Sequence, residues 1–191
     1  LRRDVLGPWL ELAKKGVTLS RLIEPELSHT YFNMQDPVLG GLTTEKIALR
    51  RAIAMAHNVQ EEIAIIWNGQ AVKLDYPIPP GVVGHDPAYR SSVRFDPKTA
   101  NALLDKFGYK KGADGWRTLP SGQPLLIRFT VRPDSTGQQQ AEMWKKTFDL
   151  LAIRMESDKR PFPEMLKAEK QCKLMMRTSP WIADYPDGDN F

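Results

Sequence analysis

Apolar residues at Leu49, Ala52, Ile53 and Ala56 recur at helical spacing and predict one buried helix face. Thr44, with Glu45 in the first turn, is placed to cap its start. Asn58 with Glu61 three residues on has the form of a capping box, opening a second helix through Ile63 and Ile66 that Asn68-Gly69 stops. A third stripe, Ala100, Leu103, Leu104 and Phe107, is opened by Asp96 as cap and Pro97 at the first helical position, and closed by Gly108. A fourth, Ala141, Trp144, Phe148 and Leu151, begins after Asp134. Leu125, Ile127, Phe129 and Val131 instead alternate with Arg128 and Thr130, the period of a two-faced strand, and Pro120-Ser121-Gly122 pairs it in a hairpin with Gly115–Leu119.

A strand over Ile153–Glu156 follows the fourth helix almost at once, so strand, helix and strand form a βαβ unit, expected parallel and right-handed. A helix from about Pro163 to Lys170 and a strand over Lys173–Arg177 continue the alternation, and the fold class is α/β. Toward the N-terminus, Gly7–Lys15 predicts a short helix, and Val17–Glu24 and Ser28–Met34 two extended segments around a turn at Pro25-Glu26. Residues 69–95 carry Pro77, Pro79, Pro80, Gly81, Gly84 and Pro87 with no period, and are expected to cross the surface as a long irregular loop of the kind that is functional or wraps another part of the structure.

A chain of 191 residues, 41% apolar and 26% charged, is sized for about one domain with a real core. The excess of four positive charges is spread along the chain, which argues against a nucleic-acid partner. The longest apolar runs, such as Ile63–Trp67 and Leu125–Ile127, fall far short of the roughly 18 residues that span a bilayer. Cys172 stands alone, excluding an internal disulfide; its place before Leu174-Met175-Met176 reads as a small buried thiol. His29, His57 and His85 have no second ligand at metal spacing. There is no glycine-rich phosphate loop, no Gly-x-Ser-x-Gly elbow and no Cys–His pair, so no enzymatic chemistry, cofactor or metal is expected. Leu1 in place of Met, and the abrupt end at Phe191, read as the boundaries of a piece of a longer protein.

The run Trp181-Ile182-Ala183-Asp184-Tyr185-Pro186-Asp187-Gly188-Asp189-Asn190-Phe191 is the densest in candidate chemistry. Asp184 follows Trp181 by three residues, where a strand after a βα unit delivers its C-terminal edge and open α/β sheets bind ligands. A carboxylate beside an indole binds an ammonium by a charge-assisted hydrogen bond while the ring covers apolar substance. A capping role for Asp184 and a core role for Trp181 compete with this. A calcium loop over Asp184, Asp187 and Asp189 is disfavoured by the spacing and by Pro186, leaving a solvated acidic turn as its alternative.

Four segments resemble the extracellular solute-binding proteins of ABC importers, oligopeptide and dipeptide class. These are Tyr31–Met34 with Asp36-Pro37 and the helix Lys46–Ala56; Asn58–Ile63 with Asn68-Gly69; Phe95–Leu104 with Gly108-Tyr109; and Trp181–Asp187. The resemblance implies one lobe of a type II periplasmic-binding-protein-like fold, with a mixed sheet flanked by helices and incomplete at the C-terminus. Residues 1–191 would then be a single fragment, most of the second lobe, with 69–95 as its crossing loop. It further implies a periplasmic or extracytoplasmic monomer that captures a peptide or similar small solute between two lobes and delivers it to a membrane permease. In peptide-binding relatives the residue matching Asp184 pairs with the ligand's terminal ammonium, that matching Trp181 walls the pocket, and an aromatic at Phe162 lines it. Gly188 departs from the family, where proline is common. Of Arg50-Arg51, one is expected to brace carbonyls or a carboxylate and the other to be solvated. The alternatives are an enzyme or sensor reusing the lobe, and an interaction domain binding a protein through the Tyr76–Tyr89 loop.

Overall fold

A computed structural model describes residues 10–18, 20 and 22–191. They fall into two compact units, the larger from residues 28–59 and 91–180, the smaller from residues up to 27, 60–90 and 181–191. Among the described residues, a helical segment at residues 10–14 is followed by β1 (Glu26–Phe32), α1 (Thr44–Ala56), α2 (Val59–Ile65), α3 (Pro97–Lys106), β2 (Leu126–Val131), α4 (Ser135–Leu150), β3 (Arg154–Lys159), α5 (Phe162–Lys170) and β4 (Met176–Ile182). A short 3-10 turn, Gly188–Asn190, follows. The N-terminal helix expected over Gly7–Lys15 is present at residues 10–14, its first residues lying outside those described. In the stretch Val17–Glu24, Leu19 and Arg21 lie outside them too, and the rest is neither helix nor strand.

The strands align in the order β1-β4-β2-β3. β2 runs parallel to β3, from Leu126 opposite Arg154 to Val131 opposite Lys159, and parallel to β4, with Phe129 opposite Met176. The β2–α4–β3 unit is therefore the parallel crossover its alternation predicts. β1 runs opposite to β4: the Asn33 amide donates to the Met175 carbonyl at 3.0 Å, and the Thr30 and Thr178 hydroxyls lie 2.8 Å apart. The sheet is mixed. Its core buries Leu49, Ala52, Ile53 and Ala56 of α1, Ala100 and Leu104 of α3, Ile127, Phe129 and Val131 of β2, and Ala141, Trp144 and Phe148 of α4, so the apolar periodicities identify the packed faces.

Asp96 caps α3 by accepting the Thr99 amide at 3.0 Å, and Asp134 caps α4 by accepting the Gly137 amide at 2.7 Å. A Cβ at residue 137 would lie 2.0 Å from the Arg132 carbonyl oxygen, so only glycine lets β2 feed so directly into α4. The α1 cap is Thr43 rather than Thr44, and it contributes its carbonyl, not its side chain. The Arg50 guanidinium donates to the Leu39 and Gly41 carbonyls at 2.5 and 2.9 Å, while Arg51 is exposed, the division of labour expected of the pair.

Three expectations are corrected. The hairpin keeps its turn, with Leu119 donating to the Gln123 carbonyl at 2.8 Å, but its first arm is reduced to isolated bridges at Thr118–Pro124 and Lys111–Arg117. The reason is that the Arg117 amide donates to the Ala152 carbonyl and the Thr118 amide to that of Lys110. β4 starts at Met176 rather than Lys173, because Cys172 and Lys173 close α5: Lys173 donates to the Ala168 carbonyl and Cys172 to that of Glu169, both at 2.9 Å, a Schellman motif. Cys172 thus occupies the left-handed position, φ 52°, and its thiol is exposed rather than buried. α4 ends the same way at Ala152, φ 55°.

The buried hub of the larger unit is Arg117, 1% exposed. Its guanidinium donates to the Leu151 carbonyl at 2.8 Å, to the Asp105 carboxylate at 2.5 Å, to the Asn101 side-chain oxygen at 2.8 Å and to the Tyr109 carbonyl. One cation thereby serves the Leu151 carbonyl at the C-terminal end of α4, where a helix leaves carbonyls without partners, together with the Tyr109 carbonyl beyond α3 and two α3 side chains.

Candidate functional site

β4 ends at Ile182, so Trp181 is its penultimate residue and Asp184 stands two residues beyond its edge. Both belong to the smaller unit. The Trp181 ring is 46% exposed and Asp184 is exposed, which removes the core reading of the tryptophan; no amide is held by the Asp184 carboxylate among the described hydrogen bonds, so capping does not occupy it either. Indole and carboxylate both present themselves to solvent.

What fixes them is the return of the chain after Pro186. The Asp187 side chain and carbonyl nucleate the 3-10 turn, accepting the Asp189 amide at 3.4 Å and the Asn190 amide at 3.1 Å. This turns the Asn190 side chain back onto the strand end. Its Oδ1 accepts the Trp181 indole N–H at 3.0 Å and the Asp184 amide N–H at 3.2 Å. The Ala183 amide donates to the Pro25 carbonyl at 2.9 Å, so the residues on either side of the Asp184 peptide are held.

Residues 78–83 buttress this turn from within the same, smaller unit. Val83 donates to the Pro186 carbonyl at 3.2 Å and bridges to Asp187. A Cβ at Gly188 would lie 2.8 Å from Ile78 Cδ1 and 2.9 Å from the Val83 carbonyl oxygen, which explains a glycine at this position. Residues 69–95 otherwise contain no helix or strand. They are organised by His85, whose Nδ1–H donates to the Ile78 carbonyl at 2.8 Å, and by Tyr76, stacked on His85 at 5.5 Å and edge-on to Tyr89 at 5.1 Å. Burial, helped by the Asp86 charge, pushes the Tyr76 hydroxyl pKa up.

Phe162, the third aromatic expected at the site, is the first residue of α5, 51% exposed, and belongs to the larger unit. That unit has its own shallow pocket of about 180 Å³, lined by Tyr31, Asn33, Glu169, Cys172 and Leu174. Arg177 braces it by donating to Glu169 at 3.1 Å and Ser179 at 2.8 Å, and burial with the Glu169 carboxylate pushes the Tyr31 hydroxyl pKa up. Among the described residues no three His, Cys, Asp or Glu gather as metal ligands, and no helix is long and apolar enough to cross a membrane. Sequence reasoning missed Asn190. Its only sequence signal is a short polar acceptor following an Asp-x-Asp turn, a pattern too common to single out.

A curated relative, Di/tripeptide-binding protein 2 of Pseudomonas aeruginosa (strain UCBPP-PA14), is 28% identical over 145 residues, covering 75% of this chain and 25% of that protein. The chain thus spans about a quarter of that relative's length. The solved periplasmic binding protein DppA from Helicobacter pylori, in complex with the peptide STSA, superposes with a TM-score of 0.71 at 24% identity, over 88% of this chain and 29% of that one. NikA from Brucella suis, in complex with Fe(III)-EDTA, superposes with a TM-score of 0.73 at 23% identity, over 94% of this chain and 35% of that one. These superpositions show the shared fold. The family model for the middle region of the bacterial extracellular solute-binding proteins, family 5, matches residues 8–191, so the chain belongs to family 5 of these solute-binding proteins, a family of binding proteins and not of enzymes.

Proposed function

We propose that this chain forms most of the second lobe of the substrate-binding component of an ABC importer, which captures a peptide between two lobes outside the cytoplasmic membrane and delivers it to the permease. The observation that carries this is the pairing of an exposed indole, Trp181, with an exposed carboxylate, Asp184, on a strand end locked by one shared acceptor. A carboxylate so placed pairs with the terminal ammonium of a peptide and the ring walls the first residue. An anionic chelate such as the Fe(III)-EDTA of the NikA complex would instead call for a cation at this point. The ligands named for two relatives, di- and tripeptides and the peptide STSA, favour the same choice. Phe162 is proposed as a ligand-contacting aromatic, and the working unit as a monomer.

Closure follows from population shift, because a ligand that contacts both lobes favours the state in which they meet. Affinity therefore resides in the two-lobed protein, and this lobe alone is expected to bind weakly or not at all. The test is a thermal-shift screen of the full-length protein against free-amine peptides and other small solutes, since a ligand specific for the folded state raises the melting temperature. A shift with peptides that Asp184→Asn abolishes supports the reading. The reading fails if no peptide gives a shift, or if the shift survives that substitution intact.

A further inference from the structure

We infer that Asn190 is a positioning residue of the ligand site, acting through its side-chain oxygen as the common acceptor that sets the indole of Trp181 and the main chain of Asp184 in one fixed relation. The inference rests on the proposed amine-binding role of Asp184 and deepens it.

The geometry is specific. One carboxamide oxygen has two lone-pair directions, and here both are taken, by Trp181 Nε1–H at 3.0 Å and by the Asp184 N–H at 3.2 Å. The indole N–H is a donor only, so without Asn190 its rotamer loses this anchor and the half-exposed ring is free to swing. The Asp184 amide is the first main-chain donor past the Ala183 amide bonded to Pro25, so it decides the direction in which the Asp184 side chain leaves the strand. A site whose aromatic wall and charged anchor are set by a single atom spends little ligand-binding energy on ordering them.

Asn190 is itself held from behind. Its amide donates to the Asp187 carbonyl at 3.1 Å, and the following Phe191 amide to the Gly188 carbonyl at 3.3 Å. The close approach of Gly188 to Ile78 and Val83 seats that turn against the crossing loop. The loop therefore reaches the ligand site through the backbone of residues 186–188 and the Asn190 side chain. Aspartate at position 190 keeps an acceptor oxygen while replacing the NH₂ group with a second oxygen and adding a negative charge; alanine and leucine lose the acceptor.

The experiment uses the full-length protein with a panel of free-amine di- and tripeptides, each paired with its N-acetylated form, and compares wild type with Asn190→Ala, Asn190→Leu, Asn190→Asp and Asp184→Asn. Indole-¹⁵N labelling, with Trp181 identified by Trp181→Phe, reads the exchange protection of its N–H in the same proteins. The expected result is an amine preference in wild type that falls about tenfold or more in the alanine and leucine variants, together with loss of Trp181 N–H protection, and near-wild-type behaviour in Asn190→Asp. A purely structural role would lower the melting temperature and the affinity for both peptide forms alike, leaving the preference unchanged. That outcome, or unchanged Trp181 protection in Asn190→Ala, overturns the inference while the amine reading stands. Absence of any amine preference in wild type overturns the amine reading itself, and the positioning role with it.

Discussion

Arg117 Nε donates to the Leu151 carbonyl at 2.8 Å, from a side chain only 1% exposed. The bond ties the segment before β2 to the last turn of α4, and the same guanidinium holds Asp105 and Asn101 of α3. Arg117→Ala would leave several carbonyls and a carboxylate without their donor. It is expected to cost about 3–5 kcal/mol, read as a lowered urea midpoint. Arg117→Lys, with one ammonium in place of a planar fork, should recover only part of that loss.

Cys172 offers a substitution of the opposite sign. With φ 52° at the C′ position of α5, its Cβ pays the left-handed penalty that glycine avoids. Cys172→Gly is expected to raise stability by about 0.5–1 kcal/mol, net of the greater freedom glycine has in the unfolded chain. Because the thiol is exposed, a thiol reagent should also label the native protein at this residue, without denaturant. Labelling only after unfolding would contradict the placement.

Helices α1, α3 and α4 and strand β2 were legible because their apolar positions carry one clear period each, and the cap Asp96 because a short acidic side chain before a proline acts locally. What was not legible depends on distant partners. The arm at 115–119 has strand chemistry, yet Arg117 and Thr118 give their amides to Ala152 and Lys110, partners that no local pattern names. Cys172 sits beside an apolar run, which favours burial, but the helix-closing turn claims its backbone first. Trp181 and Asp184 were legible as candidates by composition and by their place after a βα unit. Asn190 was not, since its role is a hydrogen bond returning nine residues along the chain to Trp181.

Gly188→Ala tests the buttress between the crossing loop and the 3-10 turn. The added Cβ would lie 2.9 Å from the Val83 carbonyl oxygen and 2.8 Å from Ile78 Cδ1. The isoleucine end can move, but the backbone oxygen must be displaced, taking with it the Val83–Pro186 bond. The expected outcome is a local loosening, with amide exchange faster at Val83 and Asn190 and the exchange of the larger unit's core unchanged. Unchanged exchange at both residues would show that the loop does not support the turn.

Tyr109 sets an alkaline limit. Its hydroxyl donates to the Glu45 carbonyl at 3.0 Å, which only the protonated form can do, and burial, with the Glu45 charge second, pushes its pKa from 10 up to about 12. The folded pKa is raised, so the stabilising difference is fully present below pH 10, where folded and unfolded tyrosine are both neutral. Between about pH 10 and 12 the unfolded chain loses the proton first, and stability falls as pH rises, by at most about 1.4 kcal/mol per pH unit for one such group. Tyr31, raised for similar reasons, steepens the decline. Tyr109→Phe should lower stability at neutral pH by about 1 kcal/mol through loss of the hydrogen bond and flatten the fall above pH 10, so that wild type and variant converge there. Urea midpoints measured from pH 8 to 11.5 check this, and parallel curves for the two proteins would remove Tyr109 from the alkaline transition.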